Sequence, residues 1–314
     1  MRLQRILDVH NGDALRKRKV ISSKTREERA RTLFLCFRQL HSAGLKLADP
    51  ANLKPKHVEF LMKKWEAEGL SAATLQCRLS CLSALAAWVG KPGMLTAPGT
   101  YLLDPSKAKR TYLAQTDKSW SPKVADIDGL IEKVAAEDKY VGMQLRVIAA
   151  FGLRRKEGVM FRPFRAHKKT DVGEYIELTS TSGTKGGRPR VVPVTNDRQR
   201  EVLAAAKVLA NTPGAHIGDP TLNLQQQLAR FSNLMTKYKI TKAALGATAH
   251  GLRHQYLNDR YEALAGVPSP VRGGIVTTEN KDACTLARYT TSEEAGHSRL
   301  QITGSYYGAA RTCA

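Results

Sequence analysis

The sequence predicts a mainly α-helical protein of two domains with one small antiparallel β-sheet. Three observations support this prediction. A chain of 314 residues with 42% hydrophobic residues exceeds the usual size of one domain and can bury two cores. Apolar residues recur at helical spacing along most of the chain. Only two short segments have the composition of β-strands.

The first predicted domain, residues 1–90, consists of an N-terminal extension and three amphipathic helices. The apolar faces of the first two helices are formed by Ala30, Leu33, Phe34, Phe37 and Leu40, and by Val58, Leu61, Met62 and Trp65. Ser71 can cap a third helix, whose apolar face carries Leu75, Leu79, Leu82 and Ala86. The Gly- and Pro-rich run GKPGMLTAPGT (90–100) and the basic run SKAKR (106–110) predict a linker over residues 91–115.

The second predicted domain, residues 116–314, resumes with helical spacing and contains the sheet. Its first helices end at AAFGLRRKEG. The segments EYIELTS (174–180) and RPRVVPVT (188–195) have strand composition, and TSGTKGG between them predicts a hairpin turn. Helical patterns return over residues 196–210, 221–238, 250–265 and about 281–296, and a Pro- and Gly-rich loop covers residues 266–280.

The net charge is the most unusual bulk property of the chain. Lys and Arg number 50 against 28 Asp and Glu, which gives a formal charge of +22. This excess is spread over both halves and predicts a polyanionic partner, most often nucleic acid. An anionic membrane surface would favour a single basic amphipathic segment, and no apolar run is long enough to span a membrane. A merely basic soluble protein is the plain alternative.

The five cysteines show neither metal-site nor disulfide spacing, which is typical of a reducing cytoplasm. No motif pairs the carboxylates that a two-metal nuclease needs. His250 and His254 are four positions apart, but the HExxH glutamate of a zinc site is missing, because residue 251 is glycine. The sequence therefore predicts neither a metal site nor a cofactor site.

Several cationic and nucleophilic residues could instead form a metal-free phosphoryl-transfer site. They are Arg154 after an apolar helix, Lys185 at the hairpin tip, His250 and Arg253 on one helical face, His297 after Gly296, and Tyr306 and Tyr307. Two arginines can hold the non-bridging oxygens of a phosphodiester. A tyrosine oxygen can attack phosphorus where cations favour the phenolate, and a lysine can protonate the leaving 5′ oxygen. Taken singly, each residue also has a plain structural interpretation.

The order of these residues resembles the tyrosine recombinases, the phage integrase family. GLRRKE is similar to the family's GLRxxE, TKGGRPRVVPV to its hairpin motif KGxxxRxVPL, HGLRH to HxLRH, and AGHSRLQITGSYYG to LGHxxxxxTxxY. Helical residues 24–90 resemble the family's core-binding domain, so the resemblance covers nearly the whole chain. The ending GHSRxxITxxYxG is similar to that of integrases from bacterial mobile elements. Ala295 stands where the family mostly has leucine, and the loop at 266–280 lengthens the interval from Arg253 to His297.

The resemblance implies a role for each matching residue. The implied catalytic residues are Arg154, Lys185, His250, Arg253, His297 and the nucleophile Tyr306, with Glu157 as a structural residue near the site. Tyr306 is preferred to Tyr307 because it lies nine positions after His297, where the family carries its nucleophile. His254 is expected to be structural or a phosphate neighbour. The expected DNA-binding residues, chiefly through phosphates, are Arg188, Arg190, Arg299, Lys107, Lys109 and Arg110.

The resemblance also implies a two-domain C-shaped DNA clamp, with a helical, SAM-like core-binding domain and a catalytic domain. Such a protein is a site-specific recombinase that cleaves and rejoins DNA through a 3′-phosphotyrosyl link, without metal or ATP, and integrates or excises a mobile element. Its expected partners are double-stranded attachment sites, three further copies in a homo-tetramer, and accessory DNA-bending or directionality factors, at the nucleoid in a bacterial cytoplasm. Two alternatives stay open: a DNA-binding regulator of the same fold without catalysis, and a type IB-like topoisomerase.

Overall fold

Helices form most of the protein, and one three-stranded antiparallel sheet accompanies them, so the predicted fold class is confirmed. A computed structural model describes residues 2–12, 21–297 and 299–309. The chain divides into two compact units, Met1–Thr111 and Tyr112–Ala314.

Within the described part of the first unit, four α-helices surround one apolar core. They are α1 (Arg2–His10), α2 (Ser23–Ser42), α3 (Pro55–Ala67) and α4 (Ala72–Trp88). The predicted apolar faces of α2, α3 and α4 meet in this core, where Leu33, Leu61 and Trp65 are fully buried. The side chain of Ser71 accepts a hydrogen bond from the backbone N–H of Thr74 at 3.3 Å, so it is the cap of α4 that the sequence predicts.

Residues 91–111 pack on the first unit, whereas the sequence predicts a linker over 91–115. Tyr101 and Leu102 are buried in the core of this unit. The carboxylate of Glu66 accepts two backbone hydrogen bonds from the same segment, at 2.8 and 2.9 Å. Gly and Pro set the turns of this segment but do not keep its apolar side chains from the core.

The second unit contains nine α-helices and three strands within its described residues. They are α5 (Ile127–Glu137), α6 (Lys139–Phe151), α7 (Arg155–Val159), α8 (Pro163–Ala166), β1 (His167–Thr170), β2 (Gly173–Leu178), β3 (Arg190–Pro193), α9 (Asp197–Ala210), α10 (Leu224–Lys237), α11 (His250–Ala265), α12 (Lys281–Glu294) and α13 (Gly304–Tyr307). The sheet order is β1-β2-β3, and Ile176 of β2 lies opposite both His167 and Val192. The two predicted strands therefore pair as a hairpin, while β1 is an addition that its polar sequence HKKT does not indicate.

The apolar helix α6 lies at the centre of the second unit and packs against α5, α9 and α11. Trp120 is fully buried in the same core and donates its indole N–H to the carbonyl of Thr248 at 2.8 Å. A Cβ at Gly251 would stand 2.6 Å from the carbonyl oxygen of Lys118, so only glycine allows this close approach. The first turn of α11 is thereby fixed against residues 118–120.

Candidate active site

Arg154 lies just beyond the C-terminus of α6, on a turn that requires a glycine. Gly152 ends the helix in the left-handed conformation, with φ 59° and ψ 33°. A Cβ at this position would lie 2.4 Å from the ring of Tyr256. The chain then enters α7, where the carboxylate of Glu157 accepts hydrogen bonds from the backbone N–H of Arg154 at 2.7 Å and from its guanidinium at 2.9 Å. Glu157 therefore fixes both the backbone and the side chain of Arg154.

Glu157 is itself held by a second arginine. The guanidinium of Arg190 donates two hydrogen bonds of 2.6 Å to the carboxylate of Glu157. Burial opposes ionisation of this carboxyl group, but hydrogen bonds and charge from Arg190, followed by the charge of Arg154, lower the pKa of Glu157 to about 2. The group is thus a permanent carboxylate at neutral pH.

The structure corrects the expectation that Arg190 binds DNA phosphates. Its side chain is only 2% exposed, and its forked end is occupied by Glu157. Arg190 lies at a core-facing position of β3, because burial alternates along this strand and Val192 is buried on the same face. Moving the Arg190 side chain to a phosphate would break this ion pair and take a charged partner from the buried carboxylate of Glu157, which costs free energy.

Arg253 projects from the first turn of α11 and is fully buried. Its Nε donates to the hydroxyl oxygen of Tyr306 at 3.1 Å, one terminal nitrogen donates to the carbonyl of Ala295 at 2.8 Å, and the other donates to the carbonyl of Gly152. Arg154 also donates to the carbonyl of Ala295, at 3.0 Å. One carbonyl at the C-terminal end of α12 therefore accepts from both arginines, and the helix dipole favours cations there.

Tyr306 lies on α13 and is 6% exposed. Besides Arg253, three imidazole rings surround it. Their centroids lie 4.5 Å (His254), 5.5 Å (His297) and 6.2 Å (His250) from the centroid of the tyrosine ring. The structure thus brings together five of the six predicted catalytic residues, and it adds His254, which contacts the nucleophile that the sequence pattern indicates.

These three histidines are neutral at physiological pH. Desolvation, followed by the positive charges of Arg253 and Arg154, lowers the pKa of His250 to about 4 and that of His297 to about 3. Desolvation and the neighbouring His250 lower the pKa of His254 to about 3. Neutral imidazoles can accept a proton, and they leave the cationic charge of the site on its arginines and lysines.

Tyr307 occupies a different environment from its neighbour. It is 1% exposed and packs on the ring of Tyr261, with centroids 5.0 Å apart, in an apolar cluster that includes Leu257 and Cys284. Burial raises its pKa. Of the two adjacent tyrosines, Tyr306 is therefore the one whose hydroxyl meets a cationic donor, and Tyr307 anchors α13 in the core.

The remaining predicted residues lie on the surface. Lys185 is exposed at the hairpin tip, where Gly186 and Gly187 adopt positive φ of 71° and 70°, and its charge contributes to the lowered pKa of His297. Arg188 and Arg299 are exposed as well. Lys107, Lys109 and Arg110 lie on the surface of the first unit, where the ammonium of Lys107 is 3.5 Å from the carboxylate of Glu66. Their expected roles in DNA binding remain predictions.

Backbone carbonyls are the main feature of the site that sequence reasoning misses. The carbonyls of Gly152 and Ala295 orient the arginines, yet an acceptor on the main chain has no sequence signature of its own. Among the described residues, no group of three or more His, Cys, Asp or Glu side chains could hold a metal ion. In the same part of the chain, no helix has the length and apolar character needed to cross a membrane.

Two family models match the chain in succession. The model described as phage integrase, N-terminal, matches residues 11–95, and the model described as integrase matches residues 114–259. Together they cover about three quarters of the chain. By sequence alone, no curated protein matches it.

Solved integrase structures share the fold. A lambda integrase dimer bound to a COC′ core site is 18% identical, with a TM-score of 0.56 over 97% of this chain and 77% of that chain. The Tn1549 transposon integrase in complex with transposon right end DNA is 17% identical, with a TM-score of 0.53 over 99% and 96%. A lambda integrase tetramer bound to a Holliday junction is 16% identical, with a TM-score of 0.56 over 97% and 75%.

Proposed function

The chain belongs to the phage integrase family of tyrosine recombinases and is a site-specific recombinase, and we propose that Tyr306 is its nucleophile. One observation carries this assignment. The hydroxyl oxygen of Tyr306 accepts a 3.1 Å hydrogen bond from Arg253, in a cluster that also holds Arg154 and three neutral histidines. A cation that donates to the phenolic oxygen stabilises the phenolate more than the phenol, which favours attack on phosphorus.

In the proposed reaction, Arg154 and Arg253 donate N–H groups to the non-bridging oxygens of the scissile phosphate. Negative charge accumulates on these oxygens as the phosphorus becomes five-coordinate, and fixed guanidinium groups stabilise it. Arg253 has no exposed surface and donates to Tyr306. The hydroxyl of Tyr306 must therefore give up its hydrogen bond with Arg253 when it attacks phosphorus. The movement of the Tyr306 side chain then exposes the guanidinium of Arg253 to the phosphate.

One bond forms at phosphorus and one breaks in the cleavage step, and two protons move. The phenolic oxygen of Tyr306 forms a bond to phosphorus, and its proton passes to one of the surrounding neutral imidazoles. The bond from phosphorus to the 5′ oxygen breaks, and Lys185 supplies the proton that this oxygen needs. The 3′-phosphotyrosyl link keeps the phosphoester energy, so the 5′-hydroxyl of a partner strand can reverse the step without ATP.

The proposed role also includes the DNA sites and the assembly in which the protein acts. We propose that the protein integrates or excises a mobile element at double-stranded attachment sites, and that four copies act together. The solved relatives support this, since they include a transposon integrase bound to transposon end DNA and an integrase tetramer bound to a Holliday junction. Accessory DNA-bending or directionality factors, a bacterial origin and action at the nucleoid belong to the same proposal.

The test uses nicked suicide duplexes tiled across the DNA on both sides of the coding sequence. We expect one duplex to give a covalent protein–DNA complex on a denaturing gel. Tyr306→Phe should abolish this complex, and the matched control Tyr307→Phe should retain it. Adding a partner duplex with a free 5′-hydroxyl should then give a recombinant strand.

If no duplex yields a complex while the protein still binds DNA, the recombinase function fails and the DNA-binding regulator is favoured. A complex that reseals without strand transfer to the partner duplex indicates a topoisomerase. If Tyr307→Phe is inactive while Tyr306→Phe still reacts, the nucleophile assignment is wrong.

A further inference from the structure

Residues 113–119 form a strap beside the site, between α13 and the first turn of α11. At one end, the backbone N–H of Ala114 donates to the carbonyl of Gly304 at 2.8 Å, on the helix that carries Tyr306. At the other end, the carbonyl of Lys118 lies against Gly251, the residue after His250. The backbone of Lys118 is therefore fixed next to the histidine side of the active site.

The side chain of Lys118 is exposed, in contrast to the buried arginines of the site. Its positive charge acts on two of the rings around Tyr306, because it contributes to the lowered pKa of both His250 and His254. Lys118 is thus a cation at the rim of the site that none of the family motifs in the sequence includes.

The loop at residues 266–280 holds the strap through Arg272, whose side chain is 15% exposed. The guanidinium of Arg272 donates to the carboxylate of Asp117 and to the hydroxyl of Ser119, both at 3.2 Å. Asp117 and Ser119 are the two residues that flank Lys118. It also donates to the carboxylate of Asp259 on α11, at 2.6 Å. One arginine therefore ties both sides of Lys118 to the helix that carries Arg253.

The loop has a second, fully buried attachment. The hydroxyl of Ser269 donates to the side-chain oxygen of Asn258, and both residues have no exposed surface. The side-chain N–H of Asn258 donates in turn to the carbonyl of His254 at 2.9 Å. The loop is thus anchored to α11 at two points, so it can act as a rigid support.

We propose that Lys118 binds a DNA phosphate at the active site and that the 266–280 loop positions it through Arg272. This inference rests on the proposed recombinase function. It also gives a purpose to the loop that lengthens the interval between Arg253 and His297. A lysine suits this place because its ammonium is a compact, hydrated point charge that can bind a phosphate oxygen from one side.

The first experiment measures single-turnover cleavage of the nicked suicide duplex that the wild-type protein cleaves. We expect Lys118→Gln to lower the rate by about tenfold, the effect of losing one charge-assisted hydrogen bond. Lys118→Arg should keep most of the rate. The matched control is Lys133→Gln, which removes an exposed lysine of α5 and should leave the rate unchanged.

The second experiment uses no DNA and measures the pKa values of His250 and His254 by NMR titration. Lys118→Gln removes a nearby positive charge, so both values should rise. Arg272→Gln should raise them too, because Lys118 is no longer held beside the rings. In the Lys118→Gln background, Arg272→Gln should add no further rise, a result that a general loss of stability would not give. Arg272→Lys provides a milder variant for the same comparison.

The outcomes separate this inference from the function on which it rests. If the wild-type protein cleaves no duplex, the recombinase function fails, and the NMR titration still decides whether Lys118 lies at the histidines. If the wild-type and Lys118→Gln proteins cleave equally fast, Lys118 does not bind a phosphate and the inference is overturned. If Arg272→Gln raises the histidine pKa values equally with and without Lys118, the positioning role of Arg272 is overturned.

Discussion

The guanidinium of Arg190 and the carboxylate of Glu157 form a buried pair with two hydrogen bonds of 2.6 Å, and neither side chain is more than 2% exposed. This pair joins β3, which follows the hairpin turn of Lys185, to α7, which follows Arg154. The same carboxylate also binds the backbone and the guanidinium of Arg154. The pair therefore connects the hairpin turn that carries Lys185 to the turn that carries Arg154.

The first prediction concerns the stability that this pair maintains. Arg190→Met should lower the free energy of unfolding by about 3–5 kcal/mol, because it leaves the carboxylate of Glu157 buried with only Arg154 as a charged partner. Urea denaturation measures the change. Arg188→Met provides the control, since Arg188 is exposed two positions earlier and should change the stability by less than about 0.5 kcal/mol. If Arg190→Met folds normally but loses DNA affinity, Arg190 is a DNA contact after all.

The second prediction concerns the turn before Arg154. Gly152→Ala should lower the free energy of unfolding by about 3 kcal/mol, since it adds the strain of a left-handed alanine to a clash with the ring of Tyr256. Cleavage should slow as well, because the carbonyl of Gly152 orients Arg253.

Gly266→Ala is the matched control for this variant. Gly266 also ends a helix, α11, with φ 70°, but a Cβ there would meet nothing within 4 Å. Only the backbone strain remains, so the stability should fall by about 1 kcal/mol. Equal losses in the two variants would show that the contact with Tyr256 has no energetic weight.

The third prediction concerns the stability of the folded protein at acidic pH. The pKa values of His254 and His297 are about 3 in the folded protein, well below the usual value near 6.5 of an unfolded chain. The unfolded state therefore binds more protons between these values, so stability is full above about pH 6.5 and falls as the pH drops towards 3. Urea denaturation from pH 7.5 to 4.5 should show this loss. His254→Phe should make the pH dependence shallower, and an unchanged slope would contradict the burial of a neutral His254.

Spacing along the sequence predicts the residues that a helix or a motif places directly. His250 and Arg253 share a helical face, and Tyr306 follows His297 at the family interval, and the structure brings all four together. Strand alternation could also have indicated the burial of Arg190, because it lies on the same face of β3 as Val192. A buried arginine needs an acid, however, and its partner Glu157 lies 33 positions away in the chain.

Long-range contacts explain what the sequence does not predict. The sequence of β1, HKKT, has no apolar alternation that would predict a strand. β1 forms because it pairs with the edge of β2. The carbonyl of Ala295 accepts from two arginines because α12 packs against α11, which brings distant parts of the chain together. Residues 91–111 look like a linker because Gly and Pro dominate locally, while the core that buries Tyr101 is formed by distant helices.

The fourth prediction separates transition-state stabilisation from DNA binding. Arg253→Lys should lower the single-turnover cleavage rate by about 10²–10³, because the single nitrogen of an ammonium cannot replace the three coplanar nitrogens with which Arg253 donates. Its affinity for the same duplex should change by less than about threefold, since many other phosphate contacts dominate the affinity of so basic a protein. Arg299→Lys, at an exposed position, should change neither quantity by more than about twofold. If the affinity of Arg253→Lys falls as much as its rate, Arg253 binds the phosphate equally in the ground state and the transition state.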